Sequence, residues 1–257
     1  HAIKAAPYLP VYNANNDGGF QGPSSSIDGQ DAENPVRIQT HQKSINNTLG
    51  LIGNLFAEYE IIEGLKFRTQ MGLDYYSSNG SSFTPTFSDD SVTGSATHFQ
   101  EFAAFSRNTG QGHRLVFTNS LTYTKTIAEM HNFELLLLSE KNHSENFGYN
   151  GSARNSITNE IQQFGSDNLS LSSGSTERNI LGYLGRLNYN FDGKYIASFS
   201  LRRDASSRFG ANFRWGTFPS ASLGWNMSKE KFLKDTDFNN LKVRASYGVV
   251  GSDNLGD

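Results

Sequence analysis

The sequence predicts an all-β chain: an antiparallel transmembrane β-barrel segment, an incomplete part of a larger barrel, with long extracellular loops. Three observations carry that expectation. Apolar side chains are dispersed singly among polar ones; the alternation recurs in about nine or ten long segments; and tight turns alternate with long polar connections.

The dispersal is visible in composition. Of 257 residues, 36% are hydrophobic and 12% aromatic, with 25 Gly and only 6 Pro, yet mean hydropathy is -0.53. A membrane barrel has this profile because lipid-facing and lumen-facing positions alternate along each strand, and the polar half lowers the average. A soluble sandwich alternates similarly, so a carbohydrate-binding or adhesin-like β-sandwich is the rival reading. Helical membrane proteins are excluded, since the longest apolar run is Leu135 to Leu138, far below the roughly 18 residues a spanning helix needs. The absence of cysteine removes disulfides, thiol catalysis and cysteine-ligated metals. A net charge of -3 provides no phosphate-neutralising footprint, so no nucleic-acid partner is expected. The chain opens at His1 without a Met or a signal-like segment and stops at Asp257, which reads as a piece of something longer.

Residues 1–46 are rich in Asn, Asp, Gly and Ser, with Pro7, Pro10, Pro23 and Pro35 spaced through them, and are expected as extended loop or early barrel region. Residues 47–257 are expected to be one continuous barrel piece of antiparallel strands, with no plug domain in the chain. The clearest strand sets Leu65, Phe67, Thr69, Met71, Leu73 and Tyr75 against Lys66, Arg68, Gln70, Gly72 and Asp74. The same division sets Phe117, Asn119, Leu121 and Tyr123 against Thr118, Ser120, Thr122 and Thr124. It recurs as Tyr183, Gly185, Leu187, Tyr189 and Phe191 against Arg186, Asn188 and Asn190. Late in the chain, Pro219, Ala221, Leu223 and Trp225 oppose Ser220, Ser222, Gly224 and Asn226, while Leu241, Val243, Ala245 and Tyr247 oppose Lys242, Arg244, Ser246 and Gly248. Segments of roughly 10 to 14 residues suit a tilted bilayer crossing of about 9 to 11 and exceed the usual soluble strand of five or six. The connections at 60–64 and 191–194 are tight, with Glu63-Gly64 and Asp192-Gly193 as hairpin turns, whereas 77–97 and 144–177 are expected as long polar loops. In outer-membrane barrels the short turns face the periplasm.

Three stretches carry a family resemblance. They are Tyr183-Leu-Gly-Arg-Leu-Asn-Tyr-Asn-Phe-Asp-Gly-Lys-Tyr195, Ser200-Leu-Arg-Arg-Asp-Ala-Ser-Ser-Arg-Phe-Gly210 and Arg214-Trp-Gly-Thr-Phe-Pro-Ser-Ala-Ser-Leu-Gly-Trp225. They resemble the central barrel region of SusC/RagA-type TonB-dependent outer-membrane receptors. Supporting fragments are Pro7-Tyr-Leu-Pro-Val-Tyr12, Asn54-Leu-Phe-Ala-Glu-Tyr59, Gly64-Leu-Lys-Phe-Arg68, Glu230-Lys-Phe-Leu233 and Leu241-Lys-Val-Arg-Ala-Ser-Tyr-Gly248. The resemblance implies a cell outer membrane location in a Bacteroidetes-type importer of glycan or peptide oligomers. It further implies a SusD-like surface lipoprotein partner and TonB acting through a plug region outside this chain.

Candidate substrate-binding residues are Arg202, Arg203, Asp204, Arg208, Arg214 and Trp215. Clustered guanidiniums bind sugar hydroxyls or carboxylates, but an internal salt-bridge lattice accounts for the same cluster more simply. Trp215, Phe218, Trp225 and Tyr247 could stack on sugars, although an interfacial aromatic girdle is their commoner role. His98, His113, His131 and His143 show no metal-ligand spacing, so no metal is expected. Asp89-Asp90 lacks the oxygen spacing of a calcium loop, and Gly18-Gly19 opens no phosphate-holding helix. No Gly-x-Ser-x-Gly elbow or comparable constellation is present, so the chain is read as neither an enzyme nor a cofactor binder.

If the apolar faces meet lipid, Leu121→Arg or Leu187→Arg is expected to cost about 2–4 kcal/mol, and changes at Thr122 or Asn188 far less. Urea unfolding of the receptor in detergent micelles measures the difference.

Overall fold

In a bilayer no water satisfies a free backbone N–H or C=O, so a strand survives only with hydrogen-bonded neighbours on both sides. The computed structural model of the chain answers that demand with cross-strand ladders, and describes residues 9–16, 19–22, 34–89, 98–233 and 239–254. Ten strands form among the described residues. They are β1 (Lys43–Ile62), β2 (Leu65–Thr84), β3 (Phe87–Asp89), β4 (His98–Gln100), β5 (Ala104–Ile127), β6 (His131–Arg154), β7 (Asp167–Phe191), β8 (Tyr195–Ser206), β9 (Trp215–Asn226) and β10 (Lys242–Gly248). Eight make one sheet in the order β1-β2-β5-β6-β7-β8-β9-β10, and β3 with β4 makes a separate ribbon. Among the described residues the fold is an open antiparallel sheet, a part of a barrel wall in which β1 and β10 each have one described neighbour.

The chain divides into two compact units. One comprises His1–Leu49, Tyr76–Gln111 and Phe147–Ser175; the other comprises Gly50–Tyr75, Gly112–Asn146 and Thr176–Asp257. In the first, a short helix, α1 (Pro35–His41), starts at an Asn34 cap whose side chain accepts from the Val36 and Arg37 amides, with Pro35 suited to the first helical position. The Asn34 amide also donates to the Val11 and Gln21 carbonyls at 2.8 and 3.0 Å. Phe20 packs beside Tyr12 and His41, and the Arg37 guanidinium lies 3.8 Å over the Phe87 ring. Thus part of the 1–46 region is helix, and β1 begins at Lys43. The buried apolar residues Phe20, Phe83, Ala103, Phe105 and Ala153 all belong to this unit, with Phe164 edge-on to Phe105 at 5.1 Å.

The second unit has no buried apolar side chain among the described residues. Its apolar groups are nevertheless ordered, and on β7–β9 most of them occupy one face. The β7–β8 register pairs Tyr183↔Arg203, Leu187↔Phe199 and Phe191↔Tyr195 on that face, with Leu184↔Arg202, Arg186↔Ser200 and Asn188↔Ser198 on the other. The β8–β9 register continues both rows, Leu201↔Pro219 and Ala197↔Leu223 against Ser200↔Ser220 and Ser198↔Ser222. Phe199 is 53% exposed and Leu223 67%. The sandwich reading needs a second sheet over these groups, and the only other sheet described is the β3–β4 ribbon, which belongs to the first unit.

Aromatic rows bound the apolar face. At one end Tyr195 stacks with Trp225 at 6.4 Å and with Phe191 at 6.2 Å. At the other, Trp215, opposite Ala205 in the register, stacks on Tyr183 at 6.1 Å with an interplanar angle of 14°. From Tyr195 to Ala205 is about ten residues, or ~33 Å of strand. At the usual barrel tilt of roughly 40° this gives a height near 25 Å, the thickness of an outer-membrane apolar band. Trp215, Trp225 and Tyr247 share this face, whereas Phe218 stands opposite Arg202 on the polar one.

The tight turns form where expected. Gly64 takes φ +80 and Gly193 φ +64, the left-handed region that glycine enters without a Cβ penalty. Gly64 also gives its carbonyl to the Thr124 amide at 2.8 Å, and an added Cβ would run into the Thr124 carbonyl. The 77–97 and 144–177 stretches differ from expectation. β2 continues to Thr84, β6 to Arg154, and β7 starts at Asp167, so much of both is strand. With 24 residues in β5 and β6 and 25 in β7, these strands are about twice the length a crossing needs. Beyond the lipid a ladder needs no apolar face, so the two-residue hydropathy signal disappears while the hydrogen bonds continue. The Gly18-Gly19 and Asp89-Asp90 motifs and the Pro7–Tyr12 fragment fall partly outside the described residues.

The Glu230-Lys-Phe-Leu233 fragment acquires a physical role at the short-turn end. Glu230 Oε1 accepts from Tyr195 Oη at 2.7 Å and from Trp225 Nε1 at 3.1 Å, tying the aromatic row to the β9–β10 connection. Those two bonds, Tyr195 foremost, hold the Glu230 carboxyl below the usual carboxylate range. Because the folded value is depressed, the tie is present above the ordinary carboxylate pKa and is lost as pH falls through the lower value.

Two outcomes are expected. Gly64→Val should lower stability by about 1–3 kcal/mol or more through the positive φ and the Thr124 contact, read by urea titration of the folded protein. Glu230→Gln should lower the temperature at which the barrel loses its compact gel mobility, and the gap from the parent should close as acidification carries the pH below the ordinary carboxylate range and through the depressed Glu230 value.

Candidate functional site

Alternation places one polar side chain at every second residue of each strand, so adjacent strands build a continuous polar wall. In the second unit that wall is hydrogen-bonded along its length. Glu58 on β1 faces Lys66 and Arg68 on β2 at 3.9 and 3.8 Å, and the Arg68 guanidinium lies 4.2 Å over the Phe56 ring. Arg114 on β5 donates to Asn142 on β6 at 3.2 Å. Asn188 on β7 donates to Glu134 at 2.8 Å and accepts from Ser198 at 2.6 Å, and Ser200 and Ser220 are 2.7 Å apart. A cleft of about 720 Å³ opens toward the short-turn end, lined by Glu60, Lys66, Thr126, Glu134 and Asn188 among others.

The candidate residues from the sequence are sorted by the same alternation. Arg202 and Asp204 lie on the polar wall. Arg202 Nε donates to both Asp204 carboxylate oxygens at 2.9 and 2.8 Å, and its Nη2 reaches Glu140 Oε1 on β6 at 3.4 Å. Gly182, paired with Asp204, leaves the room; a Cβ there would meet Asp204 Oδ1 and Arg202 Nη2. Arg202, Glu140 and Asp204 are 36, 31 and 25% exposed, so each retains hydrogen-bonding capacity for a visitor.

Arg203 and Trp215 lie on the opposite, apolar face, where the Arg203 guanidinium stands 5.0 Å over the Trp215 ring. There the arginine's apolar stem covers the wall while its head remains in the aromatic row. Arg208 joins a third group. Its Nη1 donates to the Asp253 carbonyl at 3.2 Å, while the Asp253 carboxylate takes Arg178 Nε at 3.0 Å and Ser206 Oγ at 2.8 Å. The Arg178 bonds foremost, with help from Ser206, keep the Asp253 carboxyl below its ordinary value against the opposing effect of burial. Arg214 donates to the Phe209 carbonyl at 3.3 Å within the β8–β9 connection. The six candidates therefore fall into separate places, with Arg202 and Asp204 forming one charged pair.

Glu140, Arg178 and Asp253 were not anticipated. Their partners lie 62 and 75 residues away in the chain, so only strand register could reveal them. The histidines differ as well. His98 has no described side chain, and His131 binds Tyr189 Oη at 2.8 Å. His113 and His143, 30 residues apart, meet with ring centroids 5.5 Å apart and come together with Glu145 as a group able to hold a metal ion. Sequence spacing offered no such set.

Comparison with known proteins bears on the whole wall. The family model described as TonB dependent receptor-like, beta-barrel matches residues 5–252. TonB-dependent receptor P3 of Formosa agariphila is 34% identical over 99% of this chain and 25% of its own length. TonB-dependent receptor SusC of Bacteroides thetaiotaomicron is 26% identical over 100% of this chain and 26% of its own. Among solved structures, that of the RagAB peptide transporter superposes with a TM-score of 0.76 at 22% identity, covering 88% of this chain and 25% of that one. The chain thus spans about a quarter of the length of the curated relatives it matches. It belongs to the TonB-dependent receptor-like β-barrel family, and its sheet is a stretch of cell outer membrane barrel wall.

Proposed function

We propose that the chain forms part of the wall of an outer-membrane, TonB-dependent importer of oligosaccharide or peptide oligomers. The observation that carries this reading is the division of the second unit into an exposed apolar face bounded by aromatic rows and a hydrogen-bonded polar face. One meets lipid and the other lines a path through the lipid. In this reading residues 47–257 are a continuous barrel piece, the short turns stand in the periplasm, and the plug that contacts TonB comes from sequence outside the chain. A SusD-like lipoprotein covers the outer end, in keeping with relatives named SusC and RagAB. No catalytic step is invoked. The wall contributes many weak donors and acceptors, which let a substrate be held and still leave.

Within the wall we assign Arg202, Asp204 and Glu140 to the substrate path. An arginine already held by two carboxylates keeps its planar orientation and offers its remaining N–H groups to a hydroxyl, a peptide carbonyl or a carboxylate. Arg203 and Trp215 belong to the lipid-side aromatic row in this assignment, while Arg208 and Arg214 shape the outer connection.

The test is uptake by cells expressing the full-length receptor. Arg202→Ala and Gly182→Val are expected to reduce transport of the cognate oligomer several-fold at equal surface abundance, while Arg203→Ala leaves it unchanged. Arg202→Ala should cost only about 1 kcal/mol of stability, because the ion pair is partly solvated. Transport unaffected by changes on the polar wall but lost with Arg203 would reverse the assignment of faces. A receptor that fractionates as a soluble protein would overturn the importer reading itself.

A further inference from the structure

A second polar cluster stands on the other side of the sheet, where the polar wall has no role for it. On β5, His113 has the same parity as the exposed Leu115 and Phe117; on β6, His143 and Glu145 have that of Phe133, Leu135 and Leu137. Both strands therefore present these polar groups on the apolar, lipid-side face. Their height is fixed by neighbours. Asn179 on β7 exchanges bonds with Ser207, the Ser207 amide reaching the Asn179 carbonyl and the Asn179 amide reaching Ser207 Oγ, both at 2.9 Å. Ser207 is two residues past Ala205, the partner of Trp215. The cluster thus lies one row beyond the outer aromatic row, on the outside of the wall, where the surroundings change from hydrocarbon to headgroups and water.

The hydrogen bonds determine which nitrogen atom is available. The Asn179 amide nitrogen donates to Glu177 Oε1 at 2.7 Å, which orients its Oδ1 as an acceptor. That oxygen lies 2.8 Å from His143 Nδ1, so Nδ1 carries the proton. The lone pair of a neutral His143 is then on Nε2. A Glu–Asn–His relay of this form is the outer support that metal-binding imidazoles use to fix tautomer and ring direction. His113 Nε2 is 4.0 Å from Glu145 Oε2, and one ligand atom from each of His113, His143 and Glu145 lies within 4.8 Å of the others.

We propose that His113, His143 and Glu145 form a site for a divalent transition-metal ion of the zinc class, with Asn179 and Glu177 as its outer support. Two imidazoles and one carboxylate suit zinc better than magnesium or calcium, which prefer oxygen alone. Tetrahedral zinc bonds of about 2.0–2.1 Å set ligands roughly 3.3 Å apart. Closing onto the ion therefore asks the ligand atoms to approach one another by up to about 1.5 Å, from two strands held in register by their ladder. Three protein ligands leave a fourth position open to water or an anionic oxygen from outside. The site lies on the face away from the proposed transport path and does not rest on that assignment.

The experiment uses the full-length receptor in detergent micelles, free of any affinity-tag histidines, titrated with zinc chloride by calorimetry and assayed for bound metal after dialysis. Wild type is expected to retain about one equivalent more zinc than the His113→Ala/His143→Ala double variant, with no response to calcium chloride. Glu145→Gln and Asn179→Ala, milder changes that preserve the strands, should each weaken zinc binding roughly 10- to 100-fold. Heat-dependent gel mobility verifies that each variant remains a closed barrel. Equal zinc retention by wild type and the double variant, or no zinc bound by wild type, would overturn the proposal and leave a surface histidine–glutamate pair. Zinc binding lost with uptake intact supports the site and leaves the importer reading untouched.

Discussion

The cross-strand hydrogen-bond ladder governs everything else in this chain. Lipid offers backbone groups no alternative partner, so the ladder must be complete wherever the wall crosses the membrane. Once strands lie side by side in register, consecutive residues have no choice but to face opposite solvents. That is why 36% hydrophobic residues suffice for a membrane protein. Among the described residues the apolar side chains form no core in the second unit; on β7–β9 most of them are collected on one surface, and lipid takes the place that a second sheet occupies in a soluble sandwich.

The same geometry distributes chemistry. Arg202 and Arg203 are neighbours in the chain, yet one is held by Asp204 and Glu140 on the polar wall while the other lies over Trp215 on the lipid side. Conversely, His113, His143 and Asn179 come from three strands and stand side by side. In a sheet of long strands, proximity along the chain is a poor guide to function. Parity and register together are a good one, because parity selects the face and register selects the height on it.

That contrast explains how far the sequence could be read. Strand alternation, the glycine turns at Gly64 and Gly193, and the aromatic ends at Trp215 and Trp225 are local signals, visible within about a dozen residues. The outward continuation of β2, β6 and β7 was not legible, since a strand polar on both faces has no hydropathy period to distinguish it from a loop. The pairings Glu140–Arg202, Arg178–Asp253 and His113–His143 were also hidden. Each depends on a register between strands distant in sequence, and no single strand encodes it.

β1 and β10 carry one further consequence. Each ends the described sheet with one flank of N–H and C=O groups still open, twenty residues long on β1 and seven on β10. Such edges are templates for any other extended chain, including a second copy of this one. Separated from its flanking strands, this stretch would therefore tend to polymerise edge to edge rather than dissolve as monomers. During biogenesis the same open edges would have to be shielded from premature pairing until the strands that complete the cylinder arrive.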